Sequence, residues 1–134
     1  MKRTILFAIS CFFLLFVGAC KDAGNPVVAT QLPITDSVSF KNDILPLLTG
    51  SKYGCTGCHG GQNNLFLDSY GNVMLGNSFH GPIITQGNGE GSIIVKKLRG
   101  TATFGSRMPF GGSAMASADI QKISDWITQG AKNN

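Results

Sequence analysis

Charge is scarce in this sequence. Only 13% of the 134 residues are Asp, Glu, Lys or Arg, and 11 basic residues against seven acidic ones leave a formal net charge of +4. A balance this small excludes the basic stripe of a nucleic-acid binder. So few charges also argue against charge-rich coiled coils, while 43% hydrophobic content argues against a disordered chain. Histidine is scarcer still, with two residues in the whole chain, and cysteine is limited to four. No strand alternation, hairpin signature or internal repeat stands out, and the length allows one domain at most. Glycine, by contrast, is plentiful, and 15 of the 18 glycines lie between Gly50 and Gly112. Glycine loses more backbone entropy on ordering than any other residue, so that middle segment cannot be mostly helix or strand. Something besides regular secondary structure has to organise it.

The amino terminus reads as an address. Lys2 and Arg3 precede an apolar run over residues 5–17, broken only by Ser10. The run is too short to span a bilayer and has the length of a signal-peptide core. It ends in Val17-Gly18-Ala19-Cys20, which resembles the bacterial lipobox, in which the cysteine is lipidated and becomes the first residue of the mature protein. An ordinary secreted chain with a stray cysteine, or a retained membrane anchor, are the plainer alternatives. Residues 1–19 are thus expected to be a lipoprotein signal peptide. Their removal leaves nine basic and seven acidic residues. Lys21 after the cysteine mildly favours the outer membrane by resemblance to the usual sorting rule, facing the periplasm or the cell surface. Residues 20–36 contain Pro26 and Pro33 and follow neither a helical nor a strand period, as expected of a tether.

The domain is expected over residues 37–134. Ser37 or Ser39 can cap a helix with Phe40, Ile44, Leu47 and Leu48 on one face, and Pro46 should kink or end it. A second helix follows Ser92 and closes at Gly100, with basic residues in its last turn. The third runs from Ser117 to Gly130, with Ile120, Ile123, Trp126 and Ile127 spaced as one stripe.

The chemistry concentrates in Cys55-Thr56-Gly57-Cys58-His59. This C-x-x-C-H run is read as c-type haem attachment. Two cysteines one helical turn apart reach the two vinyl groups of one porphyrin edge, and the adjacent imidazole faces the iron. A thioredoxin-like pair would need a βαβ setting, which is not visible. A structural zinc ion needs four ligands, and the domain offers only His59 and His80 beside the two cysteines. A plain disulfide is the remaining alternative in an oxidising compartment. Haem would also account for the glycines, because loops could close on its edges and its apolar surface would thicken a thin core.

Iron held by His59 takes a sixth ligand or keeps an open face. Arg107-Met108-Pro109 lies in the loop before the last helix, and a thioether is a soft donor that holds iron in both oxidation states. Pro109 would stiffen the loop that presents the sulfur. Met108 could instead be a gap-filling core residue, and Met74 and Met115 are weaker candidates of the same kind. His80 is the rival distal ligand, which would give a bis-histidine, lower-potential haem.

Taken together, residues 40–131 resemble the single-haem class I cytochrome c domains of exported bacterial proteins. The matching pieces are Phe40-Lys-Asn-Asp-Ile-Leu-Pro-Leu-Leu, Cys55-Thr-Gly-Cys-His-Gly, Ser92 with Leu98, Arg107-Met-Pro and the segment from Asp119 through Trp126 to Ala131. The resemblance implies an all-α fold of three to five helices, with glycine-rich loops around one covalent haem c. It implies covalent bonds at Cys55 and Cys58, His59 as proximal and Met108 as distal iron ligand, and electron transfer as the function. It also implies that Trp126 and Ile127 pack the last helix against the first near Phe40 and Ile44, and that Arg107 reaches a haem propionate unless it is a solvated loop charge. The expected partners are redox proteins and, through Cys20, a membrane, with neither nucleic acid nor a small-molecule substrate. Two alternatives stay open: a haem enzyme or gas sensor whose distal ligand leaves, and a haem subunit of a larger oxidoreductase. Residues 65–91 carry no motif, so their path is not predicted.

Overall fold

The computed structural model of the protein describes residues 37–134. The expected signal peptide (1–19), tether (20–36) and lipidated Cys20 lie outside the described residues. What is described is mostly helical. Five short α-helices, α1 (Leu45–Thr49), α2 (Cys55–Cys58), α3 (Tyr70–Leu75), α4 (Ile93–Arg99) and α5 (Ser117–Thr128), are linked by long loops.

Helix α1 is preceded by a wide turn over Phe40–Ile44. Ser39 caps that turn, its hydroxyl accepting from the Asn42 amide at 3.2 Å. The ladder then slips by one residue: the Asp43 and Ile44 amides both donate to the Ser39 carbonyl, and the Leu45 amide reaches back to Phe40. Pro46 follows directly, in the first turn of α1. Proline has no N–H and its ring would strike the carbonyl four residues back, so a local widening of the turn lets the chain continue. The expected kink is therefore a register slip, and the helical path runs on to Thr49. Phe40, Ile44 and Leu48 are buried, whereas Leu47 is only half-buried.

Helix α5 matches its apolar stripe. Ile120, Ile123, Trp126 and Ile127 are all buried, and Gly130 follows the helix at φ +96°. The Trp126 ring packs on Phe40 at 5.3 Å between centroids, and Tyr70 meets the same Phe40 edge-on at 5.3 Å. Ile44 and Ile127 belong to the same core. The docking of the last helix on the first is thus as the sequence resemblance implies. Both polar ends of this aromatic trio are satisfied: Trp126 Nε1 donates to Lys132 O and the Tyr70 hydroxyl to Ala131 O, each at 2.9 Å. The carboxy-terminal Asn134 closes the same region, its side-chain oxygen accepting from the Phe40 amide and its carbonyl from the Lys41 amide.

Helix α4 ends, as expected, at Gly100, which takes the left-handed conformation at φ +74°. Ser92 stands at its start but does not cap it with its side chain. It is fully buried instead, its hydroxyl accepting from the Thr85 amide and donating to Asn88 O, which ties the preceding loop to the helix.

Two features between residues 65 and 91 go beyond the sequence reading. One is α3, capped by Ser69. The other is a minimal antiparallel hairpin, β1 (Asn77–Ser78) with β2 (Gly81–Pro82), turning at Phe79 and His80. No hairpin signature stands out in the sequence, yet a strand pair forms here. Each strand has two residues, too few for alternation to show. The turn is fixed locally, because the Ser78 hydroxyl accepts from the His80 amide and donates to Gly81 O.

Candidate functional site

The C-x-x-C-H run forms α2, a single helical turn. Gly54 starts it at φ +60°, a left-handed conformation that glycine adopts without the penalty a Cβ brings. The preceding loop is pinned across the molecule: Lys52 Nζ lies 2.8 Å from Asp119 Oδ2, and the Tyr53 hydroxyl donates to the same carboxylate while accepting from the Ala116 amide. These contacts hold the entrance of α2 against the start of α5. They hold the Asp119 carboxyl below its ordinary value, the Lys52 hydrogen bond contributing most and the Tyr53 hydroxyl next.

Within the turn the His59 amide donates to Cys55 O at 2.8 Å, which places His59 at the end of the turn that carries both cysteines. The His59 carbonyl accepts from the Leu67 amide, and Gly60 pairs with Phe66, so the loop over residues 60–66 folds back beneath the motif. Cys55 and Cys58 are free thiols, Cys55 half-buried and Cys58 exposed. Burial pushes the Cys55 thiol pKa up and the His59 imidazole pKa down. Both shifts favour the neutral forms, and neutral imidazole is the form that can donate a lone pair to a metal. His59 Nδ1 is buried and has no hydrogen-bond partner. His59 as a residue lines a cleft, so its ring stands beside the space a bound group would take.

That cleft has a volume of about 590 Å³, within the range of small-molecule and cofactor sites. Cys55, Cys58, His59 and Met108 all line it. The rest of its wall is largely apolar and includes Leu48, Leu67, Ile94, Leu98 and Phe104. Met108 is presented by a strap over residues 101–112. Its amide donates to Lys97 O at 2.9 Å, which fastens the strap to α4. The peptide between Met108 and Pro109 is cis. Arg107 closes the strap on itself, donating to Met108 O at 3.2 Å and to Gly112 O at 3.0 Å. Arg107 thus braces the Met108 strap, a role beyond the propionate contact or solvated charge expected of it.

The rival ligand lies elsewhere. His80 is exposed at the hairpin turn and does not line the cleft; its ring stacks on Phe104, with centroids 3.6 Å apart and planes 18° apart. Met115 is buried in the core and Met74 is half-buried, and neither lines the cleft. Among the described residues no group of three or more His, Cys, Asp or Glu side chains converges, so no ligand set for a structural zinc ion is assembled. Sequence reasoning missed Tyr53, Lys97 and Phe104. Each acts through a partner distant in the chain or through its backbone, and no local pattern announces such a role.

No protein-family model matches this chain, and no curated protein or solved structure is significantly similar to it.

Proposed function

We propose that this protein is an exported, membrane-anchored electron carrier that holds one haem covalently through Cys55 and Cys58, with His59 as proximal and Met108 as distal iron ligand. The observation that carries this reading is that these four residues, drawn from a helical turn and a strap 49 positions further on, line one apolar cleft. The fold implied is that of a small class I cytochrome c, for which the mostly helical architecture is the coarser support.

When bound, haem supplies one-electron exchange at its iron. The chain supplies the rest. The Cys55 and Cys58 thiols, one turn apart, would hold the haem covalently, each as a thioether to one vinyl group. The neutral His59 ring offers a nitrogen lone pair. The Met108 thioether is soft and uncharged, and as a ligand it would stabilise ferrous iron and raise the potential. The apolar walls exclude water, which also favours the less charged iron state. Lipid on Cys20 would tether the domain to a membrane, facing the periplasm, with redox proteins as partners.

The test is to produce the full chain in a host with cytochrome maturation machinery. Haem should remain on the polypeptide after denaturation and acid–acetone extraction, and mass spectrometry should find the mature chain starting at a lipidated Cys20. The oxidised protein should show the weak near-infrared Met–iron band, and the reduced protein should bind carbon monoxide poorly. Met108→Ala should abolish the band and admit carbon monoxide. Complete extraction of haem overturns the reading. Ready carbon monoxide binding by the wild type replaces the carrier with a gas-binding or enzymatic protein.

A further inference from the structure

His80 is not a wall of the cleft, yet it touches a residue that is. Its imidazole lies nearly parallel to the Phe104 ring at 3.6 Å. Phe104 lines the cleft and belongs to the strap that carries Met108. Lys97 holds the same residue from α4: its ammonium donates to Phe104 O at 3.1 Å and stands over the ring at 5.5 Å. The Lys97 carbonyl accepts from the Met108 amide. The strap is thus bonded to α4 on its own side of the fold. Among the described residues, no hydrogen bond joins it to the hairpin over residues 77–82. The ring stack bridges these two segments.

We propose that His80 is a positioning residue, a latch whose ring, stacked on Phe104, ties the β1–β2 hairpin to the strap over residues 101–112 and sets how often Met108 swings out of the cleft. This rests on the reading of Met108 as the distal ligand. The hairpin itself does not need the imidazole. Its turn is held by the His80 amide on the Ser78 hydroxyl and by the β1–β2 pairing, which survive truncation of the side chain. Losing the ring should therefore free the strap without unfolding the hairpin.

The experiment compares wild type, His80→Ala and His80→Phe in the haem-loaded full chain. Exchange of the Met108 amide with deuterium reports release of the strap from Lys97. It should quicken roughly two- to tenfold in His80→Ala, the range expected for loss of one aromatic stack. Binding of free imidazole to the oxidised protein, limited by departure of Met108, should quicken by a similar factor. The planar ring of His80→Phe should restore both rates, and amides of α5 should be unaffected in all three proteins. An unchanged Met108 amide in His80→Ala overturns the latch, as does equal acceleration across α5, or failure of His80→Phe to rescue. The reading beneath it fails separately. If Met108→Ala leaves the near-infrared band and ligand access unchanged, Met108 is not the ligand, whatever the amide exchange of the His80 variants shows.

Discussion

At Gly89 the absence of one methyl group decides how closely a loop can lie on a helix. The residue is buried, and its amide donates to Thr128 Oγ1 at 3.3 Å. A Cβ built there would press into the Ser124 carbonyl oxygen and lie 2.7 Å from Thr128 Oγ1. Its neighbour Glu90 exploits this close approach, accepting from the Ser124 hydroxyl at 2.8 Å and pairing with Arg99 at 2.7 Å. Three segments thus meet at one carboxylate. Gly89→Ala must push the loop off α5, and a cost of about 1–3 kcal/mol is expected, as for other overpacked sites. Gly71 provides the contrast, because a Cβ there meets nothing within 4 Å and φ is not positive. Gly71→Ala lies within α3 and should be neutral or stabilising by up to about 1 kcal/mol. Urea denaturation of the two variants beside wild type measures both. Equal effects would show that the Gly89 contact does not hold the loop.

Between elements, the Asp119 carboxylate is the main tie from the first turn of α5 to the loop that starts α2. Lys52 and Tyr53 hold its pKa below the ordinary 3.8. The unfolded chain therefore takes up this proton at a higher pH than the folded one. The contribution is fully present at neutral pH and is lost as pH falls below 3.8 through the lowered folded value. Glu90, held down by Arg99 and then Ser124, and Asp68, held down by Asn72, act in the same direction. Asp119→Asn should lower the denaturation midpoint at neutral pH, and the gap from wild type should narrow as the solution is acidified. A gap that stays constant with pH would mean the tie is not ionic. Tyr53 and Asp119 stand 66 positions apart, so nothing local in the sequence announces this contact. The elements that were legible carry their own punctuation: α4 has its closing Gly100, and α5 its stripe from Ile120 to Ile127. The six residues of α3 and the two-residue strands complete too little of any period to be read. The site divides in the same way. Cys55, Cys58 and His59 are contiguous, and Met108 is flagged by its neighbours Arg107 and Pro109. The stack of His80 on Phe104 depends on a hairpin that only the folded chain reveals.

Taken whole, the molecule has a core that doubles as the wall of its site. Leu48, Leu67, Ile83 and Leu98 are at most 5% exposed, yet all four line the cleft. A domain this small buries a modest share of its surface, so a large apolar group seated against those four side chains would add to the core itself. On the proposed reading the two cysteines secure that addition permanently. Cys55→Ser together with Cys58→Ser removes the covalent bonds and leaves His59, Met108 and the cleft walls in place. The doubly substituted chain, matured in the same host, should lose haem on acid–acetone extraction. Once it is refolded without haem, its stability to urea should lie at least about 3 kcal/mol below that of wild type, the scale of a group that binds only the folded state well above its dissociation constant. The loss should also appear in near-ultraviolet circular dichroism, because Trp126, Phe40 and Tyr70 pack into the same core as Leu48 and Leu98. Cys20→Ser should leave both measurements unaltered, since only the anchor would change. If the doubly substituted chain, refolded without haem, is as stable as wild type, the core is complete without the group, and the cleft is a surface feature rather than part of the fold.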